Sequence, residues 1–239
     1  MLFKGFSGMS RRLRAWADQV PSQCAVCHAW PSRPLCNACV ARFAQPAERC
    51  RHCALRVPPG VPVCGACLKN PPVFDACLAA VDYAYPWADA LADFKFRANP
   101  GWAGTLATLL RSTPWVEPAL DAADRVLPIP LSRQRLQQRG FNQALLLARQ
   151  WAPDKTRADL LLRIRHHTAQ SQLQRAQRLS NLSGAFAIEP LHQAQLHGAR
   201  VVLVDDVMTT GATLHSAAVA LRQAGAAHIT AVVVARTER

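Results

Sequence analysis

The sequence predicts an α/β protein: a parallel β-sheet flanked by helices, with a small cysteine-rich domain ahead of it. Three observations carry that expectation. An apolar strand near residue 201 runs into two adjacent carboxylates and a Thr/Gly loop. Strand–loop–helix units recur from about residue 73, and four Cys-x-x-Cys pairs crowd into residues 24–67.

The strand-and-loop segment is the most informative. Val201, Val202, Leu203 and Val204 form an apolar run of the kind buried on both faces of a parallel sheet. Asp205 and Asp206 follow at the strand's C-terminal end, where carboxylates can hold sugar hydroxyls or order a metal. Thr209, Thr210, Gly211, Ala212 and Thr213 then open a helix. Hydroxyls and free backbone N–H groups at a helix N-terminus make a cradle for phosphate. The Gly-Lys-Ser/Thr of a nucleoside-triphosphate loop is absent, so a sugar phosphate fits this loop better.

The remaining elements follow in order. A short amphipathic lead-in helix is expected over residues 1–20, where Lys4, Arg11, Arg12 and Arg14 replace the apolar core of a secretory signal. Residues 21–70 form the cysteine-rich domain, and Asn70-Pro71-Pro72 marks the boundary to a larger domain over 71–239. Ala79–Tyr85 reads as a strand, Trp87–Phe96 as a helix with Leu91 and Phe94 on one face, and Gly104–Arg111 as another helix. Asp124–Leu131 reads as a strand with prolines at its end, and a Leu/Ala-rich helix ends near Trp151. The helix Thr213–Ala224, Gly225 as its cap and the strand Ile229–Ala235 complete a series of βα units, which implies a parallel sheet.

Cysteine spacing gives the N-terminal region its chemistry. Two thiolates two residues apart occupy adjacent corners of a zinc tetrahedron, and a second pair closes it. Sequential pairing is expected: Cys24, Cys27, Cys36 and Cys39 hold one zinc, and Cys50, Cys53, Cys64 and Cys67 the other. Interleaved pairing is the alternative, and His28 or His52 could replace a ligand. With sulfur at every corner no position is left for water, so such sites are structural. A disulfide framework fits less well, because nothing indicates export and Cys-x-x-Cys pairs make poor long-range staples. The region is rich in proline and poor in large apolar residues, so metal would supply its folding free energy. Cys77 is expected to be a small buried residue beside a strand.

Composition sets the remaining bounds. The 239 residues, half of them hydrophobic, suffice for one medium core and one small domain. No run of about 18 apolar residues occurs, so no spanning helix is expected. A net charge of +13 points to polyanionic partners. Much of it lies in a belt from Arg125 to Arg178, with eleven cations against two acids. Within that belt, Arg163–Phe186 is Gln-rich and reads as a loop or hairpin over an anionic ligand; a solvated basic face is the plainer alternative.

The 201–213 segment resembles the 5-phosphoribosyl-1-pyrophosphate (PRPP) loop of type I phosphoribosyltransferases. The resemblance extends along the chain through the four Cys-x-x-Cys pairs, Phe94-Lys95-Phe96-Arg97, Pro128-Ile129-Pro130-Leu131, Arg139-Gly140-Phe141-Asn142-Gln143-Ala144 and Gly184-Ala185-Phe186. In that order these motifs look like the ComF/ComFC family of double-zinc-ribbon, phosphoribosyltransferase-like proteins. The resemblance implies a type I phosphoribosyltransferase-like sheet behind a double zinc ribbon. It also implies a cytoplasmic protein linked to natural competence, acting at the inner face of the membrane through partners such as a helicase that handles transforming single-stranded DNA.

The same resemblance implies roles for residues. Asp205 and Asp206 bind the ribose hydroxyls as the catalytic acids, and Thr209, Thr210, Gly211, Ala212 and Thr213 bind the 5-phosphate. In a catalytic site, Arg133, Arg135 and Arg139, which follow the earlier strand, are placed for the pyrophosphate, and Arg163, Arg165 or Thr168 for a lid that excludes water. Mg2+ would bridge pyrophosphate and ribose, and a nitrogen nucleophile would attack C1. Two further function classes fit the same residues. One is a non-catalytic module that binds single-stranded DNA or a helicase, using Phe94, Lys95, Phe96, Arg97 and Trp102 for stacking and charge neutralisation, although Phe94 is expected in the core. The other is a PRPP sensor without turnover.

Overall fold

The computed structural model describes residues 22–164 and 184–238. The expected lead-in helix, and the residues between the two strands of the expected hairpin, lie outside them. The chain divides into two compact units, Met1–Gln45 and Pro46–Arg239. This boundary falls ahead of the expected 70/71, because the second cysteine group belongs to the larger unit.

In the smaller unit, Ser22 and Ser32 exchange backbone hydrogen bonds of 2.7 Å in each direction, closing a short loop that carries Cys24 and Cys27. Helix α1 (Asn37–Phe43) follows, with Cys36 as its N-cap. In the larger unit, Cys50 and Cys53 lie on a tight turn, and Cys64 caps the short helix α2 (Gly65–Lys69).

The larger unit is built on a four-stranded, wholly parallel sheet in the order β1–β6–β5–β2. The strands are β1 (Ala76–Asp82), β2 (Arg125–Pro128), β5 (Arg200–Met208) and β6 (His228–Arg236). The two central strands are near-continuous buried apolar runs, as parallel strands covered on both faces must be. Helices α4 (Trp102–Arg111) and α7 (Gln143–Trp151) pack on one another and on the sheet. Helix α8 (Ala212–Gln223) packs with Val201, Leu203, Ala231 and Val233 in one continuous core. A separate antiparallel pair, β3 (Leu161–Arg163) with β4 (Phe186–Ile188), lies against α8 and forms the base of the hairpin.

Some elements differ from expectation for identifiable reasons. Strand β1 starts and ends three residues early, because Tyr83 and Tyr85 are exposed and the chain turns at Ala84, whose N–H bonds Asp82. Helix α5 (Val116–Asp121) and helix α6 (Arg133–Arg139) were not expected. Helix α6 buries no residue, so it leaves no apolar period to read. Helix α3 (Trp87–Phe96) lies where it was expected. Phe94 and Cys77 are both buried.

The second cysteine group is sewn into this unit. Cys50, Cys53 and Cys67 join the core that contains Phe74 and Met208. The N–H of Cys77 in β1 donates to the carbonyl of Arg51 at 2.8 Å, so the ribbon covers an edge of the sheet. Asp82 at the end of β1 accepts from Arg49 at 2.8 Å and also from Arg56.

Candidate functional site

The site lies at the C-terminal ends of the parallel strands, where ligands of open α/β sheets bind. Strand β2 pairs with β5 only as far as Val204. Strand β5 continues through Asp205 and Asp206 to Met208, paired there only with β6. Beyond Val204, β5 therefore has no strand neighbour on the side where the chain leaves β2 for α6.

The acids are held in different environments. Asp206 is buried, and its Oδ1 accepts a 2.8 Å ion pair from Lys95 Nζ, delivered by the last turn of α3. Asp205 accepts the backbone N–H of Asp206 at 2.9 Å. Burial, and then the charge of Asp206, raise the Asp205 carboxyl to about 7, with Lys95 opposing only in part. A carboxyl poised there changes charge near neutrality.

The loop after β5 is shaped by backbone geometry. Gly211 has φ +78° and caps α8, a conformation that costs an L-residue with a side chain about 1–2 kcal/mol. A Cβ there would also come within 2.5 Å of the Met208 methyl. Thr210 Oγ1 accepts from Ala212 N–H at 3.4 Å, and Thr209 is exposed. The first turn of this twelve-residue helix has hydroxyls beside it, and Thr210, Gly211 and Ala212 border a cavity shared with Met208, Phe74 and Phe186.

A basic rim surrounds the acids. Ser132 caps α6 through Arg135 N–H at 3.3 Å, and Gly140 ends it in a left-handed conformation. Asn142 caps α7 through Leu145 N–H at 3.2 Å and donates to the carbonyl of Ile129 at 3.0 Å. This lock holds the α6–α7 turn at the end of β2. Phe141 packs on Phe94 with ring centroids 5.6 Å apart, tying the same turn to α3. Arg139 lies over the exposed Phe96 ring at 5.2 Å and donates to Gln143 at 3.2 Å. Burial, opposed by Asp206 and Asp205, holds its guanidinium below the ordinary value. Arg163 is likewise lowered by burial and by Arg135, opposed by Asp205, and lies over Phe186 at 5.3 Å.

Of the predicted site residues, Asp205, Asp206, Arg135, Arg139 and Arg163 therefore share one electrostatic neighbourhood. Arg133 is exposed on the same short helix, and Arg165 and Thr168 lie outside the described residues. Two residues were missed as parts of this site. Lys95 was visible as part of the Phe94-Lys95-Phe96-Arg97 motif and as a cation suited to DNA, but not as a partner of the acids. Arg236 was visible only as a charge closing an apolar strand; it is buried beneath the loop and donates to the carbonyls of Met208 at 3.1 Å and Thr209 at 2.5 Å.

The cysteines form two groups of four, in sequential rather than interleaved order. Sulfur pairs stand 3.9 Å (Cys24–Cys39), 3.6 Å (Cys27–Cys36) and 3.7 Å (Cys53–Cys64) apart. A disulfide is about 2.05 Å, whereas a tetrahedron with metal–sulfur bonds of about 2.3 Å has edges of about 3.8 Å. The sulfurs fit the metal geometry. Backbone N–H groups of Cys36 and Cys64 donate to Cys24 and Cys50 sulfurs at 3.4 and 3.3 Å. Burial alone would raise the Cys24 thiol, but N–H groups of Cys27, Cys36 and Val26 outweigh it and bring it to about 6. Burial pushes Cys39 up to about 12. Without a cation each cluster must share protons, so four thiolates require a metal.

Residues 137–239 match the phosphoribosyl transferase domain family. The chain is 31% identical over 233 residues to DNA utilization protein YhgH of Salmonella typhimurium, covering 91% of this chain and 98% of that protein. It is 32% identical over 204 residues to competence protein F of Haemophilus influenzae, 82% of this chain and 87% of that protein. Over 139 residues it is 35% identical to competence protein ComFC of Bacillus subtilis, 58% of this chain and 55% of that protein. No helix among the described residues is long and apolar enough to cross a membrane. A phosphoribosyltransferase-type sheet, two four-cysteine groups and alignment over most of the chain with YhgH and competence protein F together establish that the chain belongs to the ComF family.

Proposed function

We propose that the protein binds PRPP at the C-terminal end of β5 and transfers its phosphoribosyl group to a nitrogen nucleophile, in a process that handles DNA. The carrying observation is the convergence of Asp205, Asp206 and the Gly211-capped start of α8 with a rim formed by Lys95, Arg135, Arg139 and Arg163. The acids would hold the ribose hydroxyls. Hydroxyls and N–H groups from Thr209 to Thr213 would hold the 5-phosphate, and the rim cations would stabilise the departing pyrophosphate. Mg2+, when bound with the ligand, neutralises pyrophosphate charge. The two cysteine groups hold structural zinc. The names of the relatives, competence and DNA utilization, support the link to DNA.

Titration calorimetry with PRPP, with and without Mg2+, tests this reading in wild type and Asp206→Asn. Micromolar, Mg2+-dependent binding that is lost in a variant with wild-type circular dichroism is expected. No heat from a folded wild type overturns the phosphosugar reading. One observation favours a second reading: Phe96 is exposed beneath the Arg139 guanidinium, an arrangement suited to stacking a base of single-stranded DNA. Steeply salt-dependent oligonucleotide binding that survives Asp206→Asn would then identify DNA as the ligand.

A further inference from the structure

Arg236 occupies a position that neither the phosphosugar site nor the cysteine groups explain by themselves. It closes β6, a central strand whose residues 231–235 are all apolar, yet only 1% of it is exposed. Its guanidinium spans two parts of the larger unit. Nε donates to the carbonyl of Cys53 at 2.8 Å, inside the second cysteine group. Nη1 donates to the carbonyls of Met208 and Thr209 at 3.1 and 2.5 Å and of Thr237 at 2.7 Å. Met208 and Thr209 are the residues on which the phosphate loop hangs. A second contact runs beside the first: Cys77, whose N–H bonds Arg51 between the two ribbon cysteines, places its thiol 3.5 Å from the Met208 sulfur.

We infer that Arg236 is a positioning residue that ties the phosphate loop to the second cysteine group, so that metal held by Cys50, Cys53, Cys64 and Cys67 sets the geometry of the loop. Thr209 lies past the last β5–β6 pair, the Met208 carbonyl is shared between Arg236 and the Thr237 N–H at 3.1 Å, and a buried guanidinium that loses acceptors pays a desolvation cost. Its planar fork fits fixed acceptors on both sides, so displacement of Cys53 must be followed by the arginine or by the loop. The first cysteine group belongs to the smaller unit, whereas Arg236, the loop and the second group all belong to the larger. Metal loss should therefore act differently at the two groups. The inference rests on the phosphosugar reading only for its consequence on ligand affinity.

The test compares Cys36→Ser, Cys64→Ser and Arg236→Lys in the full chain. Three readouts are taken: bound zinc per chain, hydrogen exchange of peptides covering 205–213, and PRPP affinity with Mg2+. Arg236→Lys keeps the charge but cannot reach both sides, and it serves if Cys64→Ser does not fold. Expected results are faster exchange over 205–213 by tenfold or more in Cys64→Ser and Arg236→Lys, with PRPP affinity falling at least tenfold. Cys36→Ser should lose one metal and stay within twofold of wild type on both other readouts. Wild-type exchange in a folded Arg236→Lys, or equal effects of Cys36→Ser and Cys64→Ser, overturns the inference. Exchange needs no ligand, so a wild type that fails to bind PRPP would count against the phosphosugar reading while leaving this coupling decided.

Discussion

At Asp205 the carboxyl sits beside a second acid and largely away from water, and both effects favour its neutral form. The native state therefore holds a proton between about pH 4, where an unfolded aspartate ionises, and about pH 7. Stability should fall as pH rises through that window and stay flat above it, because the cost of ionising this half-buried group is then fully present. Asp205→Asn removes the cost. Thermal or urea unfolding should show the variant more stable than wild type by about 2 kcal/mol at pH 8 and equal to it near pH 4. Its neighbour is held by an ion pair. Asp206 is paired with Lys95 at 2.8 Å, and Lys95→Gln removes the one cation that the ion pairs place on this buried carboxylate, leaving only the weaker field of Arg139. Urea unfolding at pH 8 should show a loss of about 3 kcal/mol. Gly211→Ala should cost about 1–2 kcal/mol from its positive φ, since the Met208 methyl can move aside, and it should weaken phosphosugar binding by more than the stability loss suggests.

Among the elements, the turn from β2 into α6 and α7 and the second ribbon decide where the site's cations stand. Asn142 serves the turn twice, as cap of α7 and as donor to Ile129. Asn142→Ala should cost about 2 kcal/mol in urea unfolding and lower ligand affinity through misplaced Arg139, although Asn142 need not touch the ligand. The second ribbon lacks an apolar core of its own beyond the one it shares with the sheet. Chelation of its metal should lower the melting temperature and expose the edge of β1 to solvent, which exchange at Cys77 would report.

Over the whole molecule, the fold was readable wherever apolar periodicity or a fixed motif existed. Strands β5 and β6 and helix α8 follow from Val-rich runs and a capped helix, and the two metal groups follow from cysteine spacing. Helix α6 was not readable, because a surface helix of Arg and Gln has no period to detect. In the candidate site, Asp205, Asp206 and the Thr/Gly loop were legible because they are contiguous. Lys95 and Arg236 were not, because each reaches the site across the fold from a segment with its own ordinary explanation. The unit boundary was hidden for the same reason: Cys50–Cys67 look like their N-terminal neighbours in sequence but pack with the sheet. The net charge of +13 acts at this scale too. Association with a polyanionic ligand should slow steeply with added salt, which stopped-flow mixing at 50 and 300 mM salt would reveal.

The most direct test of the central claim is a crystal structure of the zinc-loaded protein grown with PRPP and Mg2+. The account predicts the 5-phosphate on the backbone and hydroxyls of Thr209–Thr213, the ribose hydroxyls on Asp205 and Asp206, and Lys95 released from Asp206 or shared with the ligand. PRPP bound elsewhere, or a loop empty at saturating ligand with the Lys95–Asp206 pair intact, would contradict it.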